Sequence, residues 1–236
     1  MKGRRHTASA LVVTAVLLAP VAALTVFSPG ALAARTPPTA RTATITPTQL
    51  AQMVLPRDLL TGGRFDVLPK SSSSGRFDVE DATRYTLDPK DTPSDIAADG
   101  WVAGYDQSWG PGFAPDGAFF GGTTVQLFKS VATAALHHAR QIESFRRFRG
   151  RLIEGGWTLD STTRWAVPGL GTDAYAIRNV FMSKDGTFYD TEIHLRLGRV
   201  TGEIGIIANR STDLRGAIET NGRTLLQRMK RVSGAG

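Results

Sequence analysis

The sequence predicts an α+β domain in which an antiparallel sheet of about five to six strands carries two main amphipathic helices on one face. Two observations lead to this fold class. Several segments alternate apolar and polar residues, and short turns between the later ones make neighbouring strands antiparallel. Two longer segments repeat apolar residues every three or four positions, as amphipathic helices do. The composition of 25 Gly, 12 Pro and no Cys in 236 residues agrees with a loop-rich domain without disulfides.

The elements follow in order along the chain. A short helix begins after Thr48 and ends before Pro56, because proline cannot continue a helix. The predicted strands are Trp101–Trp109, Thr123–Lys129, Thr162–Val167, Ala174–Ser183, Phe188–Leu197 and Arg199–Asn209. A long helix is capped by Ser130 and runs to about Arg149. A closing helix runs from Leu214 to Val232.

A five-residue segment occurs twice before the first long strand. Gly63–Val67 recurs twelve positions later as Gly75–Val79. A hairpin centred on Ser71 would pair Phe65 with Phe77 and would also pair opposite charges, each pair contributing roughly 0.2–1 kcal/mol. The alternative is a duplicated loop without such pairing. The sequence leaves both open.

The first 33 residues have the features of a secretory signal peptide. Lys2, Arg4 and Arg5 form a positive start, and an apolar run from Leu11 to Phe27 follows. Ala31–Ala33 supplies the small-residue pattern of a cleavage site. We therefore expect a secreted or extracytoplasmic protein, cleaved near Ala33. The alternative is that the segment is retained as an N-terminal membrane anchor, whereas a lipid anchor is excluded because there is no cysteine.

Beyond the leader the sequence predicts a linker and one domain. Residues 34–47 are rich in Pro and Thr and have little apolar mass, which is typical of a solvated linker. Residues 48–236 are expected to form a single α+β domain. Loss of the leader removes three positive charges from a formal net charge of +7. The remaining excess is modest, and together with export it argues against nucleic acid as a partner.

Several classes of site are absent from the sequence. It lacks a nucleophile elbow, a phosphate-binding loop and a dinucleotide-binding fingerprint. The histidines after the leader are His137, His138 and His194, and their spacing is not that of a zinc motif. His138 lies on the apolar stripe of the long helix and is interpreted as a core histidine. The sequence thus predicts no metal and no cofactor.

One predicted strand carries groups capable of acid–base chemistry. Asp190, Glu192, His194 and Arg196 share one face of Phe188–Leu197. Glu192 and His194 could act as an acid–base pair if they lay in a cleft. The alternative is a solvated sheet face, and the sequence favours it because antiparallel sheets commonly leave one face in water.

Three aromatic residues form the candidate ligand site. Trp101, Tyr105 and Trp109 fall on one face of a strand beside the glycine-rich segment 110–122. Such rings can line an apolar pocket or stack on sugars, and the alternative is core packing.

A basic flank lies on the long helix. Arg140, Arg147 and Arg151 could make weak contact with an anionic surface, or could simply face solvent.

Four short motifs carry a resemblance to known proteins. They are Phe77–Ala82, Gly100–Tyr105, Val125–Ser130 before an alanine-rich helix, and Val167–Ala174. In these motifs the chain resembles a family of uncharacterised secreted proteins of actinobacterial type. More distantly, it is similar to the extracellular sensor-like domains of mycobacterial receptor kinases, which usually carry disulfide cysteines that this chain lacks. The resemblance implies a cleft-bearing α+β fold and a ligand-binding role, and assigns no functional residue.

Two functions follow from these features. The first is a secreted or cell-surface module, sensor-like and non-enzymatic, that binds an unknown envelope ligand or protein. The alternative is a cell-envelope hydrolase or isomerase that uses Glu192 and His194. The absence of a recognisable nucleophile favours the non-enzymatic module.

Overall fold

The computed structural model describes residues 45–83, 92–112, 117–150, 152–153, 157–171, 173–184 and 186–234. The predicted leader 1–33 lies outside these residues, as does most of the predicted linker 34–47. The last residues of that linker belong to the fold, because Ile45 is only 4% exposed and Pro47 begins the first helix. Thr46 precedes that helix and forms a capping box with Gln49, which explains why the helix begins there.

Five α-helices and eight strands are found among the described residues. The helices are α1 Pro47–Met53, α2 Val79–Ala82, α3 Pro93–Ala98, α4 Val131–Phe148 and α5 Arg215–Ser233. The strands are β1 Gly75–Phe77, β2 Trp101–Trp109, β3 Ala118–Phe128, β4 Leu152–Ile153, β5 Trp157–Ala166, β6 Ala174–Ser183, β7 Gly186–Leu197 and β8 Val200–Ala208. They form one sheet in the order β1-β2-β3-β8-β7-β6-β5-β4, with antiparallel neighbours throughout. The predicted α+β class with an antiparallel sheet is confirmed.

The six long strands correspond to the six predicted segments. The two further strands, β1 and β4, have three and two residues. Neither is long enough to show alternation in sequence, which is why the predicted count was five to six.

The two main helices lie on opposite faces of the sheet, so their predicted placement on one face is wrong. On α5, Ile218 and Leu225 pack in the same core cluster as Ile193 of β7. On α4, Phe145 packs against Tyr175 of β6 and faces the ring of His194, the next residue of β7 after Ile193. Successive strand residues point to opposite faces, so α4 and α5 cover the sheet from both sides.

The two faces differ in chemistry. We call the face under α1 and α5 the apolar face; its core includes Leu50, Met53, Val125, Leu127, Ile193, Leu195, Ile204, Ile206, Ile218, Leu225 and Met229. We call the face toward α4 the mixed face; its buried polar residues include Asp106, Thr124, Gln126, Asn179, Asp190, Glu192 and His194. The stripe of α4 suits that face because it combines apolar side chains with His138 and Gln141, both buried.

Of the two alternatives for the repeated segment, the structure excludes the hairpin that pairs Phe65 with Phe77. Phe65 lies in a short 3₁₀ helix on the apolar face, whereas Phe77 belongs to β1, which pairs with β2. Each ring covers a glycine of the sheet. A Cβ added to Gly121 would lie 2.3 Å from the ring of Phe65, and one added to Gly104 would lie 1.9 Å from the ring of Phe77. The two copies diverge because their rings fill spaces on opposite faces.

We expect Gly104→Ala to destabilise the fold, because the added methyl group overlaps the buried ring of Phe77. Overpacking of this kind costs about 1–3 kcal/mol of unfolding free energy. The matched control is Gly216→Ala on α5, where no atom lies within 4 Å of the added Cβ and alanine favours the helix by up to about 1 kcal/mol. Urea unfolding measures both. Equal stability of the two variants would contradict the proposed contact.

Candidate functional site

Four ionisable side chains meet on the mixed face, and we call them the carboxylate–imidazole cluster: Asp190, Glu192 and His194 on β7, and Glu203 on β8. The alternation of β7 directs its three members to one side, as the sequence indicates. The register of β7 with β8 places Glu203 directly opposite His194. Asp190, Glu192 and His194 are buried, so the interpretation of this strand face as solvated is wrong. α4 covers part of the face and removes these groups from water.

His194 stands between two carboxylates. Its Nε2 lies 2.6 Å from Glu192 Oε2, within hydrogen-bond distance. Its Nδ1 lies 3.5 Å from Glu203 Oε2 and has no hydrogen-bond partner among the described residues. The His194 side chain is 2% exposed, whereas that of Glu203 is 33% exposed. One ring nitrogen is therefore satisfied, and the other faces the partly open end of the cluster.

Aromatic side chains fix the orientation of the imidazole. Tyr175, opposite His194 in the register of β6 and β7, stacks on it with ring centroids 4.8 Å apart and an angle of 8°. Phe145 of α4 meets the imidazole edge to face at 6.0 Å. Arg164 lies over the Tyr175 ring, 4.8 Å from its centroid. These contacts leave the imidazole little freedom to rotate.

Burial shifts the protonation of the cluster. It raises the pKa of Glu192 to about 7 and that of Asp190 well above its ordinary value, because a buried carboxylate loses its hydration. The pKa of Glu203 is raised for the same reason, and that of His194 is lowered because burial disfavours the imidazolium. The neighbouring carboxylate of Glu192 raises the pKa of Asp190 further. The cluster can therefore exchange protons near neutral pH.

A fourth carboxylate extends the polar region to β2. Asp106 is buried and accepts hydrogen bonds from Ser108 Oγ at 2.7 Å and from Thr124 Oγ1 at 2.9 Å. Burial raises the pKa of Asp106 despite these two donors.

Sequence reasoning missed Glu203, although a signal for it exists. The tight turn at Gly198 pairs Leu197 with Val200, and counting back along both strands brings His194 opposite Glu203.

The mixed face is partly open along β8. Glu203, Gly205 and Ile207 are half-buried, and we call this strip the β8 opening. On its two sides, Glu192 of β7 and Gly122 of β3 are directly opposite Gly205, and both are buried. Because Gly205 and Gly122 lie opposite each other, neither strand places a side chain over the sheet at that point. The opening gives solvent access to the cluster.

The aromatic residues predicted to bind a ligand are not on one face. A bulge between Trp101 and Ala103 shifts the alternation of β2. Trp101 packs on Phe77 with centroids 5.8 Å apart, and its Nε1–H donates to Gln126 on the mixed face. Trp109 is 2% exposed within the core of the apolar face, where Tyr105 is half-buried. The predicted single stripe is therefore absent, and a ligand role for the individual rings stays a prediction.

The structure places the other highlighted residues as follows. Arg140 and Arg147 are exposed on α4, and Arg140 forms an ion pair with Asp99. Arg151 lies outside the described residues, so contact of this flank with an anionic surface stays a prediction. His138 is buried, in agreement with its interpretation as a core histidine, and its Nδ1 has no hydrogen-bond partner among the described residues.

Comparisons with known proteins give a fold and no family. No family model matches the chain, and no curated protein matches it. The extracellular domain of PknH from Mycobacterium tuberculosis has a similar structure, with a TM-score of 0.52 and 10% sequence identity. That match covers 82% of this chain and 99% of the PknH chain. The fold agrees with the resemblance to mycobacterial extracellular domains, whereas membership of the uncharacterised secreted family stays a prediction.

A second solved structure matches less well. It is PA94 from Pseudomonas aeruginosa, a protein of unknown function, with a TM-score of 0.27 and 12% identity over 55% of this chain and 83% of that chain. This score is too low to support an argument. Within the described residues, none of the helices combines the length and the apolar character that crossing a membrane requires.

We expect His138 to make the protein less stable as the pH falls from about 6.5 to about 4. Burial lowers its pKa from 6.5 to about 4, so within this range the unfolded chain binds a proton here and the folded chain does not. Relative to a His138→Gln variant, the wild type should lose roughly 1–3 kcal/mol across the range. Urea unfolding at several pH values measures the difference.

The control for this prediction is Leu136→Gln, an exposed position on the same helix that gains no ionisable group. Its pH profile should follow that of the wild type. Parallel profiles for the wild type and His138→Gln would contradict a neutral, buried imidazole.

Proposed function

We propose that this chain is an extracytoplasmic, non-enzymatic module that binds an envelope ligand or partner, in the manner of a sensor domain. The observation that carries the proposal is the similarity in fold to an extracellular domain, which extends over 99% of the PknH chain. The leader of residues 1–33 supports the same location, with cleavage near Ala33. Retention of that leader as an anchor would keep the domain on the same side of the membrane.

The β8 opening is the binding surface that the geometry favours. It combines the half-buried carboxylate of Glu203 with the apolar side chain of Ile207, and a Cβ added to Gly205 would meet other atoms only at 3.7 Å or more. Hydroxyl groups of a glycan-like ligand can donate hydrogen bonds to the carboxylates, while the less polar face of a sugar ring covers Ile207. Ligand binding and access to the cluster would thus occur at the same place.

One observation favours the enzymatic alternative. Glu192 and His194 are buried 2.6 Å apart, and the pKa of Glu192 is raised to about 7, which is typical of groups that transfer protons. A hydrolase or isomerase of an envelope substrate would use this pair through the β8 opening. The non-enzymatic role remains the first proposal because the fold similarity extends over most of the chain. In addition, the alternation of β7 alone is enough to bring Glu192 and His194 to the same face.

We expect soluble cell-wall glycan fragments to raise the melting temperature of the protein, because a ligand that binds only the folded state stabilises it. Gly205→Val should abolish this increase by filling the β8 opening. The variant should fold normally, because a Cβ at this position meets its nearest neighbour, Glu192 Cγ, at 3.7 Å and valine suits a strand. Thermal-shift measurements with and without glycan test both statements.

Gly216→Ala, on α5, is the control and should respond to glycan as the wild type does. An equal response of Gly205→Val would contradict the binding location. Mass spectrometry of the recovered glycan tests the alternative function. A chemically altered glycan with the wild type, and an unaltered one with Glu192→Gln, would overturn the non-enzymatic proposal in favour of the enzyme.

A further inference from the structure

We propose that Glu192, His194 and Glu203 form a binding site for one divalent metal ion of the zinc class. Each side chain offers one donor atom, and these atoms all lie within 4.8 Å of one another. His194 Nδ1 and Glu203 supply an imidazole nitrogen and a carboxylate oxygen, donors that suit zinc and the borderline first-row metals, and Glu192 orients the imidazole from its other nitrogen. The spacing of the three residues matches no metal-binding motif, and Glu203 joins the other two only through the pairing of β7 with β8.

His194 has an unpartnered ring nitrogen that faces the site. Nδ1 is buried, has no hydrogen-bond partner among the described residues and faces Glu203 Oε2 at 3.5 Å. That distance is longer than a good hydrogen bond. Two ligands of the same zinc ion, each bonded at about 2.0–2.1 Å, stand about 3.3–3.5 Å apart in tetrahedral geometry. A metal ion between Nδ1 and Glu203 therefore explains both the distance and the missing partner.

The imidazole of His194 is already oriented for metal binding. Glu192 Oε2 lies 2.6 Å from Nε2, the nitrogen on the far side of the ring from the site. A carboxylate that accepts Nε2–H leaves the lone pair on Nδ1, which is the tautomer that binds metal through that atom. Stacking by Tyr175 holds the ring in this orientation. Little rearrangement is needed for His194 to act as a ligand.

The surroundings of the site favour a cation and leave it a route of entry. Asp106 and Asp190 add two more buried carboxylic groups to the same face, so a cation there is attracted by several acidic side chains. The half-buried side chain of Glu203 borders the β8 opening, through which the ion can enter and water can complete its coordination. The proposal rests on the same opening as the proposed ligand binding, and does not require that the protein act as a sensor.

The test uses zinc chloride alone, added to the purified chain after treatment with a chelator. Isothermal titration calorimetry should show one zinc ion bound per chain. Glu203→Gln should weaken zinc binding at least about tenfold, the effect expected when a ligand or its support is removed. Its circular dichroism and metal-free melting temperature should match those of the wild type, because Glu203 is partly exposed. Glu219→Gln, a carboxylate substitution on α5 beneath the opposite face, is the control and should bind zinc as the wild type does.

A second readout identifies the nitrogen involved. In ¹H–¹⁵N spectra of the imidazole groups, zinc should shift the Nδ1 resonance of His194 and leave that of His138 in place. Equal zinc affinity of the wild type and Glu203→Gln, an absence of binding, or tighter binding of calcium than of zinc would each overturn the proposal. Because no glycan is present, failure of zinc binding would leave the thermal-shift result with glycan unaffected, so the two proposals can fail separately.

Discussion

The structure depends on one constraint: both faces of the central strands are covered by helices, although only one face is apolar. On β7, Ile193 and Leu195 meet the apolar core under α5, whereas Glu192 and His194 turn toward α4. An antiparallel sheet can leave its polar side in water, where carboxylates cost nothing to keep charged. Here the covering helix withdraws them from solvent, and the shifts of their pKa values follow from that burial. The proposed cation site depends on the same burial.

Much of the secondary structure could be predicted because it depends on local periodicity. β2 and β6 have the predicted bounds, and α4 and α5 differ from theirs by one or two residues. What could not be predicted depends on contacts between distant segments. The side of the sheet that α4 covers, the bulge that moves Trp101 to the mixed face and the separate positions of Phe65 and Phe77 are all decided by packing.

The candidate site was predictable only in part. Alternation groups Asp190, Glu192 and His194 from the sequence alone, because the side chains of one strand face follow a period of two. To place Glu203 in the cluster, one must know the register of β7 with β8. To place Asp106 near it, one must know that β2, β3 and β8 are neighbours in the sheet. To predict that these side chains are buried, one must also know which face of the sheet α4 covers. Solvated carboxylates and a buried cluster thus have the same sequence pattern and differ only in what lies above them.

The position of β8 has a consequence for how the chain acquires its fold. β8 follows β7 directly but lies between β7 and β3, so it joins two halves of the sheet that have no strand pairing with each other. During synthesis the halves β1–β3 and β4–β7 emerge first, each with an unfinished edge. Pairing of segments so distant in sequence slows folding. A polypeptide that cannot complete its central sheet until β8 has been made keeps the edges of β3 and β7 unpaired for longer.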